Sequence, residues 1–119
     1  MPILNSINQM HNEIKEWRQL LHKIPEIGLQ EYKTSSFIKS KLSEWNIDYK
    51  EGYSNTGIVA CVKGKNGKSD KSIGLRADFD ALPMPEKNNF KHKSSHPGMM
   101  HACGHDGHTS MLLLSLIHI

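Results

Sequence analysis

Little in this 119-residue sequence would take it out of water or staple it covalently. The opening "MPILNSINQMHNEIKEWRQ" has no continuous apolar core of signal-peptide length. Nothing later approaches the roughly 18 consecutive apolar residues that suggest a membrane span. The expectation is a soluble, cytoplasmic chain with no membrane partner. Only two cysteines are present, Cys61 in the apolar run "IVACV" and Cys103 in the polar run "MHACGHDGH". Settings so different speak against a disulfide framework, so each thiol needs its own explanation. Between Ala60 and Val62, Cys61 reads as a small buried hydrophobe. A concentrated charge is missing too. The formal net charge of +3 comes from scattered lysines, and the longest basic cluster, "GKNGKSDKS" (Gly64 to Ser72), is interrupted as a solvated turn would be. That argues against nucleic acid as a partner. There is no internal repeat or low-complexity tract, and the length suits one small domain rather than two.

Periodicity supplies the elements that are there. Leu4, Ile7, Met10, Ile14, Trp17 and Leu21 recur at three- and four-residue steps, which predicts one helix ending before Pro25. A second helix is expected from Glu31 to Trp45, with Phe37, Ile38, Leu42 and Trp45 inward. "TGIVACVKG" (Thr56 to Gly64) and "SIGLRADF" (Ser72 to Phe79) are β-branched and apolar, and the glycine-containing stretch between them predicts an antiparallel hairpin. Short apolar strands of this kind favour a sheet covered by helices on both faces. Residues 81–99, with three prolines and no sustained period, read as a long functional loop. After it, "TSMLLL" reads as the start of a buried helix with Thr109 as its cap.

The densest chemistry lies in "MHACGHDGH", residues 100–108. Cys103 and His105 stand two apart, so in an extended segment both side chains leave one face and can meet one ion. A thiolate and an imidazole suit zinc and its borderline neighbours, and Gly104 permits close approach. Asp106 or His108 could then fix an imidazole tautomer from behind the ligands. A nucleophilic cysteine with a histidine base is the competing chemistry, but the helix-start context of such thiols is not expected here. The His105-Asp106 pair also resembles that of the histidine-aspartate metal phosphohydrolases. There the pair sits on a helix, whereas here glycines flank it.

In "GLRADFDALPMPE" (Gly74 to Glu86), Asp78 and Asp80 alternate where a strand is expected to end, a position where ligands gather in α/β sheets. Either could hold a metal or a metal-bound histidine. The bland alternative is a polar strand end capped by a turn.

"RADFDALPM" followed by "GMMHACGHDGHTSMLL" closely resembles the metal-dependent amidohydrolases grouped around hippurate hydrolase, N-acyl-amino-acid amidohydrolase and the indole-acetyl-amino-acid hydrolases. The earlier "WRQLLHKIPEIGLQEYKTSSFI" is similar to their amino-terminal helix and loop of arginine, leucine-histidine, proline-glutamate and glycine. One departure is Phe79, where the family more often has methionine.

The resemblance implies the amino-terminal part of an α/β, zinc-peptidase-like catalytic domain, a mixed sheet flanked by helices, spanning residues 1–113 and incomplete. It implies two divalent ions, with zinc, manganese, cobalt and nickel undistinguished. Cys103 and His105 would be metal ligands and Asp80 would support the metal centre, with Asp78, Asp106 and His108 as candidates behind the ligands. The family's catalytic glutamate and remaining ligands follow the cysteine-histidine motif, and residues 106–119 hold no acid besides Asp106. The chain is therefore expected to be a fragment, inactive alone. Its tail "LSLIHI" (Leu114 to Ile119) matches the translation of a common DNA-library adapter and is expected to be foreign. The implied substrate is a small N-acyl amino acid or short peptide. A later lid domain leaves homo-oligomerisation open. The rivals are a peptidase or deacylase of the same superfamily and a non-catalytic domain closed around one zinc by four protein ligands.

Overall fold

A computed structural model describes residues 3–66 and 69–118. Gly67 and Lys68 of the basic cluster, and Ile119 with the side chain of His118 in the expected foreign tail, lie outside that description. The elements run α1 (Asn5–Gln9), α2 (His11–Lys23), α3 (Tyr32–Glu44), β1 (Tyr49–Tyr53), β2 (Gly57–Ala60) and α4 (His105–His118). The first predicted helix is two, separated at Met10. Its apolar stripe is buried only toward the end, at Trp17 and Leu21, while Leu4 is exposed. As the sequence requires, α2 stops before Pro25, and α3 agrees with its expected span to within a residue at each end.

Trp17, Ile38, Leu42 and Leu113 form the buried centre, so α2, α3 and α4 meet there, with Trp45, Tyr49, Ile58, Phe79 and Leu116 packed around it. Tail residues 114–118 continue α4, and Leu116 thus belongs to this packing.

The predicted hairpin is not the one formed. β2 pairs antiparallel with β1, Tyr49 opposite Ala60 and Glu51 opposite Ile58, and residues 72–79 form no strand among the described residues. The connection explains the difference. Ser54 and Asn55 both have positive φ, 46° and 75°, which a tight hairpin turn needs and which asparagine tolerates. The three-residue connection Ser54–Thr56 closes at lower entropic cost than the longer loop expected between residues 64 and 72. Ile73 and Leu75 are left 90% and 61% exposed. Nor is the sheet covered on both faces: α3 packs against β2, while Tyr53 and Val59 face outward. Cys61 lies past the end of β2 and is exposed, so the buried-hydrophobe expectation fails.

Residues 81–99 form the expected long loop, pinned at its start. Ala81 bridges Ile27 in parallel and Leu82 bridges Met100 antiparallel. The Ala81 amide donates to the Glu26 carbonyl at 2.7 Å, and Leu82 and Met100 exchange two hydrogen bonds of 2.9 and 3.0 Å. The buried side chain of Glu26 is busy as well. It accepts from the amides of Lys33 and Thr34 and from the Thr34 hydroxyl at 2.7–3.0 Å, capping the start of α3 from outside the helix. One residue thereby joins the start of α3 to the segment carrying Asp80.

These placements set two mutational expectations, measured by urea unfolding followed by far-UV circular dichroism. Leu42→Ala, at a site 2% exposed, should cost about 2–5 kcal/mol. Cys61→Ala, at an exposed site, should change stability by no more than about 0.5 kcal/mol; a loss as large as that of Leu42→Ala would show that the thiol is packed.

Candidate metal centre

The motif is not an extended segment. Gly104 has φ +86°, a left-handed conformation that costs glycine nothing, and its carbonyl accepts from the amides of Gly107 and His108 at 3.0 Å. It is the residue from which α4 departs, so His105, Asp106 and Gly107 form the first turn. The expected start at Thr109 is one turn late. Thr109 Oγ1 donates instead to the Asp78 carbonyl at 3.2 Å, tying α4 to the strand-like segment. Same-face alternation therefore does not relate Cys103 to His105; a glycine turn leading into a helix does.

On a helix, successive side chains diverge by about 100°, and the motif uses that divergence. His105 turns to Asp80: its Nδ1 lies 2.8 Å from Asp80 Oδ1 and 3.0 Å from the Asp80 carbonyl oxygen. With Nδ1–H donating to both, the Nε2 lone pair is the one left for a metal. Cys103 is exposed, and His108 is exposed with its ring centroid 5.8 Å from that of His105.

Asp106 turns the other way and is 2% exposed. Its Oδ2 accepts from His22 Nδ1 at 2.7 Å and from Arg18 Nε at 3.1 Å, and Oδ1 accepts from the Gly107 amide at 3.0 Å. The pair does lie on a helix, so the flanking glycines were no objection to a phosphohydrolase-like arrangement. The geometry is the better objection, because the carboxylate faces α2 while the imidazole faces Asp80. Asp106 does hold an imidazole, that of His22, which the motif alone did not reveal.

His22, 2% exposed, carries the network onward: its Nε2 lies 2.9 Å from Glu86 Oε1. Glu86 also accepts from Asn88 Nδ2 at 2.9 Å and from the Ser94 amide. Burial pushes the Glu86 carboxyl upward, but the hydrogen bonds from Asn88, His22 and Ser94 outweigh it and bring its pKa down from 4.5 to about 2. His101, 5% exposed, has no hydrogen-bond partner for either ring nitrogen among the described residues, and burial lowers its pKa, opposed by nearby Asp106.

Asp78 is placed differently from Asp80. Its carboxylate pairs with Arg76 at 2.7 Å on the exposed side and makes no bond to His105. The structure thus joins Asp80 with His105, and Asp106 with His22, while Asp78 and His108 stay apart from both pairs. Arg18, His22 and Glu86 were not singled out by the sequence motifs. The arginine and leucine-histidine of "WRQLLH" were the available signal.

Residues 74–119 match peptidase family M20/M25/M40. A dinuclear metal-binding peptidase of the M20 family from Bacillus subtilis superposes with a TM-score of 0.86 at 35% identity, over 93% of this chain and 31% of that one. The chain is thus similar, over nearly its whole length, to one part of M20-family proteins. It is also 43% identical to a hippurate hydrolase of Campylobacter jejuni over 97% of its length and 30% of the relative's. To an N-acyl-L-amino acid amidohydrolase of Geobacillus stearothermophilus it is 38% identical, over 90% and 28%. The chain thus spans about 30% of the length of these curated relatives. Among the described residues no helix is long and apolar enough to cross a membrane.

The lowered Glu86 pKa fixes a pH dependence. A carboxylate depressed by folding stabilises the fold fully above its unfolded value near 4.5, and that contribution is lost as pH falls toward about 2. The stability difference between the wild-type chain and Glu86→Gln, from urea unfolding at stepped pH, should therefore shrink across this window. A difference constant from neutral pH down to the bottom of the window would show that Glu86 is not ionised in the fold.

Proposed function

We propose that this chain supplies Cys103 and His105 as metal ligands, and Asp80 as the support of His105, to a metal-dependent amidohydrolase that cleaves the amide bond of N-acyl amino acids. The observation that carries this reading is the 2.8 Å Asp80–His105 hydrogen bond, which directs the free Nε2 of a half-buried imidazole outward two residues from an exposed thiol. The thiolate and imidazole suit zinc and its borderline neighbours cobalt and nickel, and manganese would lean on oxygen donors from elsewhere. Asp80 both fixes the ring tautomer and raises its basicity, as carboxylates behind metal-bound histidines do. Bound divalent ions would supply Lewis acidity toward the acyl carbonyl and activate water near neutral pH.

Two donors from this chain hold an ion only with donors from elsewhere in a protein of its relatives' length, and a proton-shuttling glutamate would come from the same source. Among the described residues no three His, Cys, Asp or Glu side chains are gathered as an ion would need. A closed four-ligand zinc domain therefore has no such set within the described chain. The names of the relatives favour small N-acyl amino acids over proteins as substrates.

In a full-length protein carrying this segment, Cys103→Ala should lose bound metal and activity together. Asp80→Asn should keep the fold and lower kcat/KM by about 10–100-fold. Metal analysis beside hippurate turnover decides both; undiminished metal in Cys103→Ala removes the thiol from the ligand set. The 119-residue chain alone, saturated with zinc or manganese, should not turn over hippurate. Turnover near the full-length rate would place the catalytic groups among its own histidines.

A further inference from the structure

We infer that His22 is a positioning residue for the Cys103–His105 donor pair, an inference that rests on the metal-ligand reading above. His22 lies on α2, outside the motif, yet both partners of the Asp80–His105 hydrogen bond are tethered to its imidazole. The tethers run through chain neighbours of the pair: His22 Nδ1 is 2.7 Å from the carboxylate of Asp106, which adjoins His105 in the first turn of α4. On the other side His22 Nε2 is 2.9 Å from Glu86, on the loop that leaves Asp80 through the Ala81 and Leu82 bridges.

The helical geometry turns this tether into an aim. Side chains at 105 and 106 diverge by about 100°. With Asp106 drawn inward onto His22 and Arg18, the rotation of the first turn is fixed and His105 points at Asp80. Release of Asp106 would free that turn to rotate, and Gly104 and Gly107 offer no side chains to resist it. The same imidazole holds Glu86, which accepts from Asn88 and from the Ser94 amide, so the loop between Asp80 and His101 is shaped on it too.

The burial makes His22 hard to replace. The side chains of His22, Asp106 and Glu86 are 2%, 1% and 2% exposed, with Arg18 at the rim at 39%. One ring thus reaches both carboxylates, at 2.7 and 2.9 Å from its two nitrogens. Phenylalanine offers no donor, and glutamine carries both of its N–H donors on one nitrogen, so neither spans the two carboxylates as the two ring nitrogens do.

The test uses a full-length protein carrying this segment and compares the wild type with His22→Gln, His22→Phe, the milder Glu86→Gln and the core control Leu42→Ala. Long-range ¹H–¹⁵N spectra of the histidine rings, recorded without metal, read the His105 tautomer. Cobalt(II) titration, followed by the thiolate-to-cobalt absorption band, reads the donor pair. The wild type should hold His105 in the Nδ1–H form. Both His22 variants should mix its tautomers and weaken cobalt binding by about 10–100-fold, with a smaller change in Glu86→Gln. Leu42→Ala should lower stability and leave both readouts in place, which separates aiming from general loosening. If either His22 variant fails to fold, Glu86→Gln carries the test. A single Nδ1–H tautomer and unchanged cobalt affinity in the folded His22 and Glu86 variants would overturn the inference, as would equal disturbance by Leu42→Ala. A full-length wild type that gives no thiolate band would count against the metal-ligand reading, and the tautomer comparison would still decide the role of His22.

Discussion

An imidazole clamped between two carboxylates out of water is the constraint around which the rest of this structure is arranged. Taking ionised groups out of water costs several kcal/mol for each, and only close, well-directed partners offset it. His22 stands 2.7 Å from Asp106 and 2.9 Å from Glu86, and Arg18 adds a charged contact to Asp106 at 3.1 Å. The three buried groups come from α2, the long loop and α4. None of these segments can shift alone without leaving a buried polar group short of a hydrogen-bond partner, a change that costs about 1–3 kcal/mol. The aromatic surroundings reinforce the position: Phe90 stacks on His92 with ring centroids 4.0 Å apart, and both meet the His22 ring edge-on at 5.7 Å.

A second polar anchor does the same for the other side of the centre. Glu26 caps α3 with its side chain and receives the Ala81 amide on its carbonyl, next to Asp80. Around it the loop returns to the end of α2: the Ser95 amide and hydroxyl both donate to the Lys23 carbonyl, and His96 Nδ1 donates to the Pro25 carbonyl at 2.7 Å. Helix ends leave carbonyls without partners inside the helix, and here residues from the loop take them. The loop is irregular, but these hydrogen bonds pin it along its length, and that is how it can carry Asp80 at one end and the cysteine-histidine motif at the other without secondary structure of its own.

What the sequence revealed follows from which signals are local. Helical periodicity is local, so α2 and α3 were legible within a few residues. Cys103-Gly104-His105 was legible as a donor set because residue type and spacing suffice, although its backbone is a left-handed turn and a helix start rather than a strand. The hairpin was misplaced because Ser72 to Phe79 has strand-like composition, while Ser54-Asn55, without glycine at either turn position, gives a weaker signal than the turn it makes. Cys61 was misjudged for the same reason, since apolar neighbours along the chain say nothing of what packs across it. The role of His22 was invisible in composition and spacing, because Asp106 is 84 positions away and Glu86 is 64. A lone histidine on an amphipathic helix looks the same whether it faces water or two carboxylates. Only the resemblance of "WRQLLH" to the family's helix pointed there.

Polar satisfaction and apolar burial are unevenly distributed in this chain, and the contrast bears on how the centre is held. The polar groups behind His105 find their partners inside residues 18–110, whereas Ile73 and Leu75, a few positions before Asp78 and Asp80, remain largely exposed. The radius of gyration, 15.4 Å, exceeds the roughly 13.5 Å of a compact chain of this length. Hydrophobic stabilisation scales with apolar area removed from water, so the segment leading into Asp78 contributes little of it here. Hydrogen bonds and charge pairs depend on direction and are complete once their few atoms are placed. The aim of His105 therefore rests on short-range polar contacts to α2 and the loop, while the depth of the fold's stability rests on how much of the 72–79 face is covered. The two can vary independently: a centre of this design can be correctly oriented in a chain that is only weakly folded.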